Sequence, residues 1–178
     1  MDLTNEADAE KFVTDTTDKY QNIDAAVLTV GGFAIGTVSQ TKTSDIAKQY
    51  QLNFETAYNI ARPVFNNMRQ NKTGRIFLIG SRPGIDAAAG KGMIGYSLAK
   101  SLIFRLAELM NDEAKGTNIV TGLVVPSTID TPTNRKAMPG NDFNVWVKLE
   151  AIADVIYLYC TDEAAVLRVP VIKVYNNS

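Results

Sequence analysis

Short, nearly continuous apolar runs alternate along this chain with longer stretches whose apolar positions recur at helical spacing. A run of the first kind reads as a strand buried on both faces, and the second kind as an amphipathic helix. Residues 4–20 form the first helix: Thr4 or Asn5 caps it, Glu6, Asp8 and Glu10 suit its positive end, and Ala9, Phe12, Val13, Thr16 and Tyr20 share a face expected to be core. A turn at 21–24 leads to a strand at 25–30, closed by Gly31-Gly32. Ser44 then caps a long helix over 45–70, which Pro63 is expected to kink or divide. The cycle repeats with a strand at 75–80, a Gly- and Ala-rich loop at 81–92 and a helix at 93–111. A strand at 118–125, an irregular stretch to 142, a helix at 145–161 and a strand at 168–175 complete it. Strands alternating with helices through short connections predict an α/β fold, a doubly wound parallel sheet. The 178 residues suit one domain, 1–178, with no repeat or linker.

Composition narrows the chemistry. Apolar residues make up 46% and charged residues 21%, as in soluble globular chains, and the net charge of −1 comes without a basic stripe, so nucleic acid is not an expected partner. No apolar run approaches a membrane span, and no secretory pattern opens the chain. The single cysteine, Cys160, cannot pair internally and reads as a buried structural thiol in a reducing cytoplasm. Histidine is absent, which removes Ser-His-Asp and Cys-His catalysis and most zinc chemistry, so no metal site is expected. Proton transfer is left to Tyr, Lys, Asp or Glu.

In open parallel sheets, ligands bind beyond the carboxyl ends of the strands. Gly31-Gly32, Gly80-Ser81 and Pro126-Ser127 all fall at such ends. In the following helix, Tyr96 and Lys100 stand four residues apart, on one face. An ammonium there can lower the pKa of the phenol and prepare it to exchange a proton with a carbonyl or alcohol oxygen. The 93–111 helix is apolar on more than one face, through Leu98, Leu102, Leu106 and Leu109, which points either to a subunit interface or to cover by another part of the chain.

Tyr96 and Lys100, Ser81 before them, Asn53 in the preceding helix and Pro126 with Thr131 after the next strand occur in an order that resembles the short-chain dehydrogenase/reductase family across essentially the whole chain. Two blocks, Gly92-Met-Ile-Gly-Tyr-Ser-Leu-Ala-Lys100 and Ile129-Asp-Thr-Pro-Thr-Asn-Arg-Lys-Ala-Met-Pro139, look like the quinonoid dihydropteridine reductases within it. The resemblance implies a Rossmann-like sheet and an oxidoreductase that uses NAD or NADP to reduce a carbonyl or a quinonoid pterin-like ring. Tyr96 would be the general acid, Lys100 would lower its pKa and hold the nicotinamide ribose, Ser81 would bond the substrate, and Asn53 would support a water relay to Lys100. Gly31 and Gly32 would let the backbone approach the cofactor, while Pro126, Thr128 and Thr131 would cover the nicotinamide. Asp2 would touch adenine. A homodimer or homotetramer through helices 45–70 and 93–111 is the implied assembly.

The chain also departs from the family. Ser81 precedes Tyr96 by 15 residues, where 13 is usual and Pro83 stands here, and Ser127 replaces the usual glycine. No G-x-G-x-x-G turn follows an opening strand: the one match, Gly90-Lys-Gly-Met-Ile-Gly95, stands in mid-chain directly before Tyr96, and Gly31-Gly-x-x-x-Gly36 is no substitute because no helix is expected at Gly36. The chain is therefore expected to be the nicotinamide and substrate half of such an enzyme, with the sheet incomplete at its N-terminal half and strand 25–30 left with an open edge. The alternative is a cofactor-deficient family member acting as a non-enzymatic interaction subunit. Asp130 with Arg135 reads as a loop ion pair, and Phe143 with Trp146 either packs the next helix or walls an aromatic substrate.

Overall fold

A computed structural model describes residues 1–168 and 170–177. Its elements are α1 (Glu6–Tyr20), β1 (Ala25–Leu28), α2 (Thr43–Tyr50), a π-helical turn (Gln51–Glu55), α3 (Thr56–Asn71), β2 (Thr73–Ile79), α4 (Arg82–Ile85), α5 (Ile94–Glu113), β3 (Asn118–Pro126), α6 (Pro132–Ala137), α7 (Leu149–Tyr159) and β4 (Val171–Val174). Short 3-10 turns at Phe143–Val145 and Asp162–Val166 flank α7. The strands form one sheet in the order β1-β2-β3-β4. All pairings are parallel, with Leu28 opposite Leu78, Leu78 opposite Leu123 and Leu123 opposite Val171. This is the parallel α/β sheet that the alternating pattern predicts.

Side chains alternate across the sheet, and the two faces are covered differently. Ile76 and Leu78 of β2 and Ile119, Leu123 and Val125 of β3 bury against Ile103, Leu106 and Met110 of α5, Val64 and Met68 of α3, and Val13 of α1. Phe77, Val120 and Val124 are buried on the opposite face. Arg75 shares that face with Phe77 and lies within electrostatic reach of Cys160, which places the end of α7 there. No residue of α7 is fully buried, although the helix is strongly apolar, and Leu149, Tyr157 and Leu158 are exposed.

Several sequence expectations need correction. Phe12 and Tyr20 are not core: each is half or more exposed, because α1 turns Ala9 and Val13 inward. Phe12 instead borders an apolar cavity of about 310 Å³ that runs beside β1 from Met1 and Leu3 to Ile60. The edge of β1 facing this cavity has no strand partner among the described residues, as expected. Cys160 is exposed rather than buried, since it caps the C-terminus of α7 outside the core. Pro63 lies within α3 without breaking it. The irregularity falls upstream at 51–55, where the N–H of Thr56 donates to the carbonyl of Gln51, one residue beyond α-helical spacing. The expected loops at 81–92 and 126–142 each hold a short helix, α4 and α6. The strand at 25–30 pairs only to Leu28, the helix expected from 145 begins at Leu149, and the strand at 168–175 is paired over 171–174, with Val169 outside the described residues. Ser44 is not the cap of α2: the helix begins at Thr43, and the Asp45 carboxylate accepts the N–H of Lys42.

Gly84 lets α4 lie directly on α5. A β-carbon there would stand 2.9 Å from the carbonyl carbon of Lys100 and 3.0 Å from Phe104. Because the obstacle includes helix backbone, Gly84→Ala is expected to lower stability by about 1–3 kcal/mol, read as a lower urea midpoint at unchanged slope.

Candidate active site

Three strand ends and one helix build the site. The parallel register brings Gly31-Gly32, Gly80-Ser81 and Pro126-Ser127 to the carboxyl edge of the sheet, and α5 runs beneath them with Tyr96 and Lys100 one turn apart. Lys100 is 6% exposed, and its Nζ donates to the carbonyl of Ile79 at 2.8 Å. Burial away from water pulls its pKa down to about 8. Nζ lies 5.9 Å from the centre of the Tyr96 ring.

Burial also governs Tyr96, pushing its phenol above the ordinary tyrosine value, with the neighbouring Ser81 hydroxyl pulling the other way. This corrects the expectation that Lys100 lowers the phenol pKa: the ammonium is turned onto the Ile79 carbonyl, and desolvation dominates. At neutral pH Tyr96 is therefore a protonated phenol. The Ser81 hydroxyl is near enough to favour the phenolate, yet its buried oxygen has no well-formed hydrogen bond. Buried hydroxyls are normally paired, so this one is an acceptor and donor held ready for a further group. Phe33 follows the two glycines directly and meets Tyr96 edge to face, with ring centres 5.2 Å apart at 75°.

Asn53 lies in the π-helical turn and is 1% exposed. Its Nδ2 donates to both the carbonyl and Oε1 of Gln49, each at 3.2 Å, and its Oδ1 accepts the N–H of Gly32 at 3.1 Å. The side chain thus holds the end of β1. Both Nδ2 protons are engaged there, while Oδ1 keeps a second lone pair. A β-carbon on Gly31 would lie 2.8 Å from Asn53 Oδ1 and 3.5 Å from Lys100 Nζ, so β1, the π turn and α5 converge at this glycine.

The remaining expected residues are placed less centrally. Pro126 is buried at the end of β3. The carbonyl of Thr128 accepts the N–H of Val147 at 2.9 Å, and the N–H of Asp130 donates to the Val147 carbonyl at 2.8 Å. Thr131 caps α6, its hydroxyl accepting the N–H of Asn134 at 3.1 Å. Asp130 is paired with Arg135 and with Lys148, which hold its carboxyl well below the usual carboxylate range. Trp146 is buried and tilted against Phe143, with 4.8 Å between ring centres, so it packs the loop that precedes α7. Asp2, expected at adenine, is exposed, and its Oδ1 accepts from both the backbone N–H and the hydroxyl of Thr4. Sequence reasoning missed Gln49 and Phe33. The first carries a signal, since it precedes Asn53 by one helical turn. The second carries none until the fold brings it to Tyr96.

Residues 1–142 match the sequence profile of the short chain dehydrogenase family. The chain belongs to that family. An acetoacetyl-CoA reductase of Acinetobacter sp. (strain RA3849) is 26% identical over 131 residues, covering 74% of this chain and 52% of the relative. A dihydropteridine reductase of Dictyostelium discoideum is 24% identical over 162 residues, 89% of this chain and 68% of the relative. Among solved structures, a short-chain dehydrogenase/reductase of Burkholderia xenovorans superposes with a TM-score of 0.87 at 24% identity, over 98% of this chain and 72% of that one. The enzyme ElxO, solved with NADP bound, superposes with a TM-score of 0.88 at 20% identity, over 98% and 74%. The chain spans about half the length of the first of these curated relatives.

Proposed function

We propose that this protein is an NAD- or NADP-dependent short-chain oxidoreductase that reduces a carbonyl or a quinonoid pterin-like ring, with Tyr96 as general acid. The observation that carries the reading is the half-buried Tyr96 phenol set beside the buried Ser81 hydroxyl at the strand ends, with the Lys100 ammonium one helical turn away. Family membership supports the reaction class, and the NADP named for ElxO supports the cofactor. The residues present fit the nicotinamide end of such a cofactor: Lys100 offers two further N–H donors toward ribose hydroxyls, Gly31 and Gly32 let Asn53 and Leu52 close on the strand-end backbone beside it, and Pro126, Thr128 and Thr131 lie at or just beyond the neighbouring strand end. A bound nicotinamide supplies the hydride, two electrons delivered to the substrate carbon.

The chain's own residues do the rest. Ser81 donates to the substrate oxygen or nitrogen and holds it against Tyr96. Tyr96 gives that atom its phenolic proton as negative charge develops there, and solvent restores the proton afterwards. The buried Lys100 ammonium, anchored on the Ile79 carbonyl, holds the ribose rather than tuning the phenol. Asn53, locked to Gly32 and Gln49, keeps β1's end in register with α5. The assembly proposed is a homodimer or homotetramer through α2–α3 and α5, supported by the groove that Tyr58, Phe65, Leu106 and Leu109 line between them. No helix among the described residues is long and apolar enough to cross a membrane, and a reducing cytoplasm is the proposed compartment.

The second reading, a non-enzymatic interaction subunit, is favoured by the edge of β1, which has no strand partner among the described residues and borders an apolar cavity. Titration calorimetry with NADH and NADPH separates the two. The oxidoreductase reading expects one of them to bind and to drive reduction of quinonoid dihydropterin or a simple ketone. Absence of binding together with a stable hetero-complex would support the second reading.

A further inference from the structure

Phe33 is 60% exposed, yet it directly follows a backbone segment pinned by Asn53. The glycine before it is tied to Asn53 through Gly32 N–H, and its ring stands edge to face with the proposed acid. A single exposed phenyl needs no explanation on a surface, but this one borders a reacting group and a buried hydroxyl that lacks a partner. We infer that Phe33 is the specificity-determining wall of the substrate site and that the substrate is a flat, conjugated carbonyl or imine rather than a flexible or saturated one. This inference rests on the oxidoreductase reading and deepens it.

The ring angle carries the argument. Phe33 and Tyr96 stand 75° apart, so a planar group stacked on Phe33 lies nearly perpendicular to the Tyr96 ring. A carbonyl oxygen or imine nitrogen bears its lone pair in the plane of the conjugated system. Stacking therefore presents that lone pair, edge on, toward the side where the phenol and Ser81 hydroxyl reside, while covering one π face with hydrocarbon. The opposite π face stays open to hydride delivery. A saturated ring has no flat face to match Phe33 and gains only ordinary apolar contact. Aromatic stacking adds a factor of roughly three- to tenfold in affinity beyond the area covered.

Acetophenone and cyclohexyl methyl ketone have the same carbon skeleton and differ in the flatness of one ring, so they isolate this term. Dissociation constants come from ligand-observed NMR titration of the chain, with the Tyr96 ring resonances reporting where each ketone sits. The expected result is a preference for acetophenone of roughly three- to tenfold, lost in Phe33→Leu and retained in Phe33→Tyr. Phe33 is exposed, so neither substitution endangers folding. Equal affinity in the unsubstituted chain, a preference that survives Phe33→Leu, or binding that leaves the Tyr96 resonances unmoved would each overturn the inference. Tyr96→Phe separates it from the reading on which it rests. That variant is expected to keep the acetophenone preference and lose turnover, so retained turnover would sink the acid assignment while leaving Phe33 to be judged by its own titration.

Discussion

Tyr96→Phe is expected to lower kcat by about 10²- to 10⁴-fold while the fold stays intact. The phenol is half-buried, and its hydroxyl has the Ser81 oxygen as neighbour, so its removal deletes the proton donor and leaves the ring in place. The ring keeps its edge-to-face contact with Phe33, and the packing around α5 has no reason to change. An interaction made only as charge develops lowers kcat and kcat/KM together, so KM is expected to change little. Steady-state kinetics with quinonoid dihydropterin or a ketone, run beside a thermal melt, check both halves. An unchanged kcat in a folded variant would remove Tyr96 from the chemistry.

Lys100→Met is expected to stabilise the protein at neutral pH even as it abolishes turnover. The ammonium is buried, and one of its three donors is spent on the Ile79 carbonyl. Its pKa of about 8, against an ordinary 10.5, means that the folded state disfavours the charge. Below pH 8 both folded and unfolded chains carry the proton, so the penalty is fully present. Between pH 8 and 10.5 the unfolded chain holds a proton that the folded one has released, and stability rises with pH. Above 10.5 neither is charged and the penalty is gone. The shift corresponds to about 3 kcal/mol, from which the lost hydrogen bond to Ile79 takes about 1 kcal/mol. Urea unfolding is therefore expected to show Lys100→Met about 2 kcal/mol more stable at pH 7, with the advantage disappearing by pH 10.5. A variant less stable than the parent at pH 7 would contradict the account. A residue kept at such a cost in stability is what an active site retains and a structural site discards.

The parallel sheet and its helices were legible because they depend on local pattern. The runs in β2 and β3 are buried on both faces and read as continuous apolar segments, and Asn5 caps α1 through the N–H groups of Ala7 and Asp8 as its residue type implies. The boundary errors arose where neighbours decide. β1 pairs only to Leu28, opposite Leu78, and the chain beyond it is held instead by Asn53, which accepts the N–H of Gly32. Cys160 reads as buried because α7 is apolar, yet burial requires something to cover the helix, and no residue of α7 is fully buried. The division of the 43–71 helix is expected at Pro63, but α3 runs through that residue unbroken. The π turn comes instead from upstream, where it brings Asn53 to the Gly32 backbone.

Sequence alone determined which groups are available to this protein: a Tyr96–Lys100 pair on one helix face, glycines at the strand ends, and no histidine to compete with them. Spacing along a helix is a local property, so the pair could be read without a fold. Tertiary structure alone decided how those groups behave. Burial, rather than the charge of Lys100, sets the Tyr96 pKa. Desolvation is a property of the surroundings, which are drawn from β1, β2 and the π turn, far away in the chain. The same holds for Phe33, whose place against Tyr96 exists only because two distant segments meet at the end of the sheet.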